Sequence, residues 1–453
     1  MSEDAPSLFA SLYAQICSVS AMVLRRFRRS KVVATASLTC AFVLICIFSL
    51  RMEHPSTVGA TKARAVVEVV TDSAPKVIPV TPNKKKSSRT AKPQPSLSRV
   101  VITESFRKAI PQNSAFWNRK QHALLKQLDS AGILLGNDTA GQSPCSALSL
   151  ELLKTNIQDF SSYPPLYQDF LQGMDCRDPP ILIDQPEKCS LRDGARWQPF
   201  LLLAIKSIPR NFERRQAVRD TWGREASYEG GLQVRTVFLL GTSSPGDPNL
   251  GELLRFEAQH FGDLLQWDFR DSFYNLTLKE NAFLGWASNR CPHAAFIFKG
   301  DDDVFMNPKA MIQYLRSLDP VKASKLYMGQ VVAQATPFRD SKSKYYVPHT
   351  FYDGPYPTYA GGGGFVFSGS LLRPLHLLSH HIASFPIDDV YTGMCFQALG
   401  IAPEGHPGFQ TFDIRELDRE NACAHKGLFL VHQRTPQQVI QLWKHMHSPL
   451  LTC

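Results

Sequence analysis

Three aspartates stand side by side at Asp301, Asp302 and Asp303, in the stretch "FKGDDDVFMNP" at residues 298–308. Neighbouring carboxylates repel, and burying one without a partner is costly enough to drive it towards its protonated form. Such a cluster is either fully solvated or built to share a cation. In an extended segment residues two apart point the same way, so Asp301 and Asp303 converge while Asp302 faces the other side. Two converging carboxylates are a partial site for a hard divalent cation, with positions left for water or phosphate oxygens. The spacing excludes a calcium-binding helix–loop–helix, which needs acidic residues at alternate positions and a glycine at the sixth.

A second acidic pair, Asp388 and Asp389, lies in "FPIDDVYTGMC" at residues 385–395 and leads into a helical pattern. One of the two can simply cap that helix. Alternatively, a carboxylate beside a metal–diphosphate site can serve as general base and take a proton from an attacking hydroxyl. Between the two pairs, "YAGGGGFVFSG" carries Gly361, Gly362, Gly363 and Gly364 just before an apolar strand. Four glycines in a row are entropically expensive and suit a place where backbone must approach a ligand closely. No Gly-Lys-Ser/Thr follows, so this is not a P-loop. Together these features describe a metal-assisted transfer site for a sugar-sized ligand.

The elements that must position these residues are legible around them. "FLLLAIKSI" (200–208), "VRTVFLLG" (234–241), "LLQWDF" (264–269) and "AAFIFKG" (294–300) read as strands, the apolar runs being those of strands buried on both faces. Helical patterns fall at 212–222, at 249–262 and at about 277–288. The alternation predicts an α/β fold with a mostly parallel sheet flanked by helices. Sites on such sheets form at the carboxyl ends of strands, where the aspartate triplet sits. Asn307 and Pro308 then cap and open a helix, which puts the triplet in a short strand-to-helix loop.

The chain has 453 residues and a formal charge of +10. Residues 1–110 hold 17 Lys and Arg against 6 Asp and Glu, so the remaining 343 residues carry −1 and offer no basic surface for nucleic acid. Residues 32–50 are 19 uncharged, mostly apolar positions behind "RRFRRSK". That length and flank predict an uncleaved signal anchor, with 1–31 cytosolic and the remainder lumenal. Residues 51–110 are rich in Pro, Lys, Ser and Thr and predict a flexible stem. An N-terminal lumenal accessory region (111–195) and a catalytic domain (196–453) follow. Seven cysteines fall in the lumenal part with no C-x-x-C pair, which favours disulfides over zinc and leaves at least one thiol free or pairing between chains. Spacing does not fix the connectivity; Cys395 with Cys423 is the first pairing expected. Asn137 and Asn275 head N-glycosylation sequons.

Six motifs in order, with the ending "LVHQRTPQQVIQLW", resemble the β1,3-glycosyltransferase family of Golgi type II membrane enzymes: "RRQAVRDTWG", "VFLLG", "NLTLKE", "FKGDDDVF", "YAGGGGFVFSG" and "FPIDDVYTGMC". The last two motifs and the ending look most like its β1,3-N-acetylglucosaminyltransferase branch, which extends poly-N-acetyllactosamine. Ile387-Asp388-Asp389-Val390, where many β1,3-galactosyltransferases carry Glu-Asp-Val, agrees by analogy. The resemblance covers about residues 111–453. It implies a GT-A fold and inverting transfer of GlcNAc from UDP-GlcNAc to the 3-hydroxyl of a terminal galactose on glycoproteins or glycolipids.

The same resemblance places Mn²⁺, with Mg²⁺ as a substitute, on Asp303 and Asp301, with His432 completing the shell. Asp301 and Asp302 would stand near the donor, and Asp389 rather than Asp388 would be the base. It also places Arg215, Arg219 and Lys279 near the nucleotide, though salt-bridged structural cations are the competing reading, and Trp222 reads as core. It allows dimers with itself or with related transferases. The alternatives are a β1,3-galactosyltransferase of the same fold and a non-catalytic lumenal glycan-binding protein. A metal-dependent phosphatase or nuclease would want a histidine-rich two-metal cluster that the sequence does not show.

Overall fold

The computed structural model describes residues 100–131, 145–190 and 198–453. The expected membrane span at 32–50 and the sequon at Asn137 lie outside them. Among the described residues no helix is long and apolar enough to cross a membrane.

Four helices come first: α1 (Glu104–Ala109), α2 (Phe116–Ala131), α3 (Leu150–Asn156) and α4 (Pro165–Gly173). Thr103 caps α1 by accepting from the Phe106 amide. Its own amide donates to the Ala398 carbonyl at 2.9 Å, and Ile102, Phe106 and Ile110 are buried. Residues 100–110, expected as the end of a flexible stem, are therefore part of the packed body. The sequence misleads because the three apolar anchors are sparse among polar residues.

The central layer follows with β1 (Ile181–Ile183), β2 (Pro199–Lys206), α5 (Phe212–Asp220), β3 (Ser227–Tyr228), β4 (Leu232–Thr242), α6 (Gly251–Phe261), β5 (Leu264–Arg270), α7 (Leu276–Arg290) and β6 (Phe296–Asp301). Strands β5, β4, β2 and β6 are parallel neighbours. Along β2, Leu201, Leu203 and Ile205 enter one apolar cluster while Leu202 and Ala204 enter another. Both faces are covered, which is why this strand reads as a continuous apolar run.

Beyond β6 come β7 (Phe305–Met306), α8 (Pro308–Ser317), α9 (Pro320–Ser324), β8 (Tyr327–Val332), β9 (Tyr359–Ser368), α10 (Leu372–Ser379), α11 (Asp388–Ala398), β10 (Glu404–Gly405), β11 (Phe409–Gln410), α12 (Ala422–His425), β12 (Leu430–Val431) and α13 (Pro436–Met446). The main sheet runs β1-β5-β4-β2-β6-β9-β8-β10, with β3 beside β4. Strand β9 is antiparallel to both β6 and β8. The mostly parallel sheet expected from sequence is thus a mixed one, parallel only through its four central strands and again between β8 and β10. No helix separates β8 from β9, and without a crossover helix adjacent strands pair antiparallel.

One face is packed by Phe106, Trp117, Tyr167, Phe283, Leu375 and Tyr391 from α1, α2, α4, α7, α10 and α11. The other is packed by Val218, Leu254, Met311 and Leu442 from α5, α6, α8 and α13. Helices of the 111–195 region therefore share a core with the sheet. Disulfides join Cys145 to Cys176, Cys189 to Cys291 and Cys423 to Cys453. This corrects the expected Cys395–Cys423 bridge. Cys395 is a free, buried thiol, because it lies on the core face of α11, whereas Cys423 in α12 meets the chain end.

Candidate active site

Strands β2 and β6 end in register, with Lys206 opposite Asp301. The Lys206 Nζ lies 3.0 Å from Asp301 and 2.9 Å from Asp388, and donates to the Gly362 carbonyl at 3.1 Å. Burial alone would favour loss of its proton, but the two carboxylates outweigh burial and hold the ammonium well above its usual range. One lysine therefore joins the two acidic pairs that the sequence keeps almost ninety positions apart.

The triplet divides as the extended geometry requires. Asp302 is buried and turned to the loop after β2, accepting from Ser207 Oγ at 2.7 Å, Asn211 Nδ2 at 2.9 Å and Arg214 at 3.1 Å. Asp301 and Asp303 share the other side with His432. One ligand atom from each of the three lies within 4.8 Å of the others. Asp303 pairs with Arg214 at 2.9 Å, and its Oδ1 stands 3.2 Å from His432 Nε2. That buried Oδ1 receives no well-directed hydrogen bond. Burial pushes the Asp301 carboxyl up, only partly offset by Lys206, while Asp303 and Asp388 add repulsion. Burial also works against Asp303, but His432 and Arg214 together hold its carboxyl below the usual range.

His432 is oriented from behind. Its Nδ1 lies 3.0 Å from the Thr411 carbonyl, which can only accept, so Nδ1 carries a hydrogen and Nε2 is the nitrogen turned to the aspartates. Burial works against the charged ring, but Asp303 and Asp301 outweigh it and hold the imidazole above its usual range, so a cation bound there would take the place of an Nε2 proton. The pieces are joined by a second sheet in the order β11-β12-β7. Strand β7 follows the triplet, β12 precedes His432 and β11 precedes Thr411. Two carboxylate oxygens, one of them the orphaned Asp303 Oδ1, and one imidazole nitrogen are a donor set that fits a divalent ion with open positions.

The glycine run lies inside β9, not before it. Gly329 of β8 faces Phe365 and Val331 faces Ala360, so four glycines occupy the span of the single residue Gln330. None of the four has a positive φ; the need is for space. A Cβ on Gly361 would lie 2.9 Å from Thr411, on Gly362 3.2 Å from Asp389 Oδ2, on Gly363 3.2 Å from His432 and on Gly364 2.3 Å from Leu430. The bulge threads between the metal group and the second acidic pair.

Asp389 sits in the first turn of α11. Its Oδ2 accepts from the Gly362 amide at 3.1 Å and its Oδ1 from the Val390 amide at 2.9 Å. Burial, then repulsion from Asp388, pushes its carboxyl up to about 7, against the pull of Lys206. A carboxyl poised there can exchange a proton with a bound hydroxyl near neutral pH. Asp388, by contrast, is ion-paired to Lys206.

Three expected nucleotide contacts face inward instead. Arg215 is fully buried, donating to Glu257 at 2.8 and 2.7 Å, to Ser207 Oγ and to the carbonyls of Ile208 and Pro209. Arg219 binds Glu257 and Asp263 beneath the Phe261 ring. Lys279 binds Asp271 and the Ser207 carbonyl. Arg215 and Lys279 brace the 207–211 loop that holds Asp302, and Arg219 holds the Glu257 carboxylate that Arg215 binds. Trp222 is core, as expected. At Asn275 the side-chain amide donates to the Arg270 carbonyl at 2.9 Å. Sequence reasoning passed over Lys206, Arg214 and Thr411; the signal for Lys206 was a cation ending a doubly buried strand.

A family profile described as galactosyltransferase matches residues 213–407. Among curated proteins, the Mus musculus "N-acetyllactosaminide beta-1,3-N-acetylglucosaminyltransferase 2" is 46% identical over 363 residues, covering 78% of this chain and 90% of its own length. The Homo sapiens protein of that name is 44% identical with the same coverage. The Homo sapiens "Acetylgalactosaminyl-O-glycosyl-glycoprotein beta-1,3-N-acetylglucosaminyltransferase" is 44% identical over 304 residues, 65% of this chain and 77% of its own length.

Proposed function

Since the chain belongs to the galactosyltransferase family, within its β1,3-N-acetylglucosaminyltransferase branch, we propose that it moves GlcNAc from UDP-GlcNAc to O3 of a terminal galactose with inversion, extending N-acetyllactosamine chains on a GT-A fold. The observation that carries the mechanism is the Asp389 carboxyl, poised at about 7 against the glycine bulge whose other residues border the Asp301–Asp303–His432 group.

Asp301, Asp303 and His432 Nε2 would hold the ion. When bound, Mn²⁺, or Mg²⁺ in its place, supplies the Lewis acidity that neutralises charge developing on the departing diphosphate. Asp389 takes the proton of the acceptor 3-hydroxyl as that oxygen bonds to the GlcNAc anomeric carbon. The bond from that carbon to phosphate breaks, and its electron pair leaves with UDP. In-line attack with inversion needs the base across the sugar from the diphosphate, which two separate acidic sites permit and one cluster would not. Lys206 is ion-paired to Asp388, which leaves Asp389 as the acid–base group. Arg215, Arg219 and Lys279 have internal partners; Arg215 and Lys279 contribute by holding the loop and Arg219 by fixing Glu257, rather than by touching the donor. The reading includes anchorage in the Golgi membrane with the catalytic part lumenal.

The test offers residues 91–453, one compact unit, a panel of acceptors with UDP-GlcNAc or UDP-galactose, with Mn²⁺ or EDTA. Metal-dependent GlcNAc transfer to N-acetyllactosamine is expected. A core-type O-linked GalNAc acceptor belongs in the panel, since one relative is named for it. Galactose transfer would overturn the branch, and glycan binding without turnover would overturn the enzyme reading.

A further inference from the structure

Two turns meet behind His432, and both contain a non-glycine residue in the left-handed region: Asp413 at φ 71° and Gln433 at φ 61°. The first turn follows β11, closes with the Asp413 amide donating to the Gln410 carbonyl at 3.2 Å, and presents the Thr411 carbonyl that orients His432. The second carries His432 itself and ends where the Arg434 amide donates to the Asp303 carbonyl at 2.7 Å. Arg434 is buried, and its guanidinium donates to the carbonyls of His432 and Gln433, both at 3.0 Å. From there it reaches Asp413 Oδ1 at 2.8 Å. Arg419, on the exposed side, pairs with Asp413 Oδ2 at 2.7 Å.

We infer that Asp413 and Arg434 are positioning residues for the cation. Resting on the metal reading proposed above, their ion pair locks the two turns together, so that the Thr411 carbonyl keeps the hydrogen on Nδ1 and His432 Nε2 stays aimed between Asp301 and Asp303. The same arginine's backbone fixes the Asp303 carbonyl, so one residue ties a first ligand's main chain to the main chain of a second. Groups that orient a ligating histidine from behind are worth about tenfold to a hundredfold in metal affinity.

The test measures Mn²⁺ binding to the full-length chain in the presence of UDP, by the electron paramagnetic resonance signal of free Mn²⁺, together with metal-free melting. Asn adopts the left-handed region readily and retains an oxygen for the Ile414 amide that Asp413 now accepts, so Asp413→Asn removes the charge alone. It is expected to weaken Mn²⁺ binding by about tenfold to a hundredfold, raise the Mn²⁺ concentration for half-maximal activity by a similar factor, and leave kcat at saturating Mn²⁺ nearly unchanged. Arg419→Gln, which spares the Asp413–Arg434 pair, should bind Mn²⁺ as the unmodified chain does. Arg434→Lys keeps the charge but cannot serve two carbonyls and Asp413 together; it should weaken Mn²⁺ binding too, and it decides the matter if Asp413→Asn does not fold. Lower melting temperatures with unchanged Mn²⁺ affinity would overturn the positioning role. Absence of Mn²⁺ binding in the unmodified chain would overturn the metal reading itself.

Discussion

The Gly362 amide and the Asp389 carboxylate are 3.1 Å apart, and no atom larger than hydrogen fits on the Gly362 Cα without pressing on that carboxylate. Base and bulge form one unit. Asp389→Asn keeps the shape and the Gly362 contact but removes the proton acceptor, so kcat should fall by roughly 10²–10⁴ while UDP binding is retained. Gly362→Ala leaves the carboxylate but displaces it, and should lower kcat with little change in melting temperature. Retained turnover in Asp389→Asn would remove it from the base role.

The raised Asp389 carboxyl makes activity depend on pH where an ordinary carboxylate, titrating near 4, would be silent. With the group at about 7, kcat/KM should rise through one ionisation centred near neutrality and level off above it. Stability runs the other way. A folded-state value above the unfolded one gives a contribution that is complete below about pH 4 and lost as pH rises through 7. Asp389→Asn should therefore melt higher than the parent at pH 8 and equally at pH 4.

Lys206 is the cation shared by Asp301 and Asp388. Lys206→Met leaves both carboxylates facing each other without a cation. Removing one partner of a buried pair costs roughly 3–5 kcal/mol, and the partial exposure of Asp301 places the expected loss at the low end. Chemical denaturation should show that loss, and adding Asp388→Asn should recover part of it. Additive losses in the double variant would show that no shared cluster exists.

What the sequence makes legible here is local. The doubly buried strands, the Asn307–Pro308 helix start and the opposed directions of Asp301 and Asp302 follow from neighbours in the chain and were readable as such. The site itself depends on pairings that leave no local trace. Strands β7, β11 and β12 are two residues each, too short for any periodicity, yet they bring Thr411 and His432 to Asp303. The glycine bulge depends on a register with β8 that no pattern in "YAGGGG" encodes. The inward turn of Arg215 depends on Glu257, 42 positions away.

Cysteine chemistry separates the observed bridges from the expected one. Burial pushes the Cys395 thiol up to about 12, and the thiolate is the reactive form. Alkylation of native residues 91–453 without reductant should label no cysteine, whereas denaturation without reductant should expose Cys395 alone to mass spectrometry. Cys423→Ser opens a link between residues 30 positions apart, worth about 3–4 kcal/mol in the chain-entropy account. A Cys395-containing disulfide peptide would contradict the structure.

Arg215 distinguishes a nucleotide contact from a brace. Its side chain is fully buried with its donors committed to Glu257, Ser207, Ile208 and Pro209. Arg215→Met would leave Glu257 paired with Arg219 only, at a cost of roughly 3–5 kcal/mol for breaking a buried ion pair. If the residue acts as a brace, the variant should melt well below the parent, yet at a temperature where it remains folded its KM for UDP-GlcNAc should stay within about threefold, since no bidentate donor contact worth a tenfold factor, about 1.4 kcal/mol, has been removed. If Arg215 instead reached the diphosphate, KM would rise by far more than that at every temperature, and the melting point would recover with added UDP less than the parent's does. The pairing with Glu257 predicts the first outcome, and a double variant with Glu257→Gln should then melt higher than Arg215→Met alone, because the carboxylate left half-paired in the interior is gone.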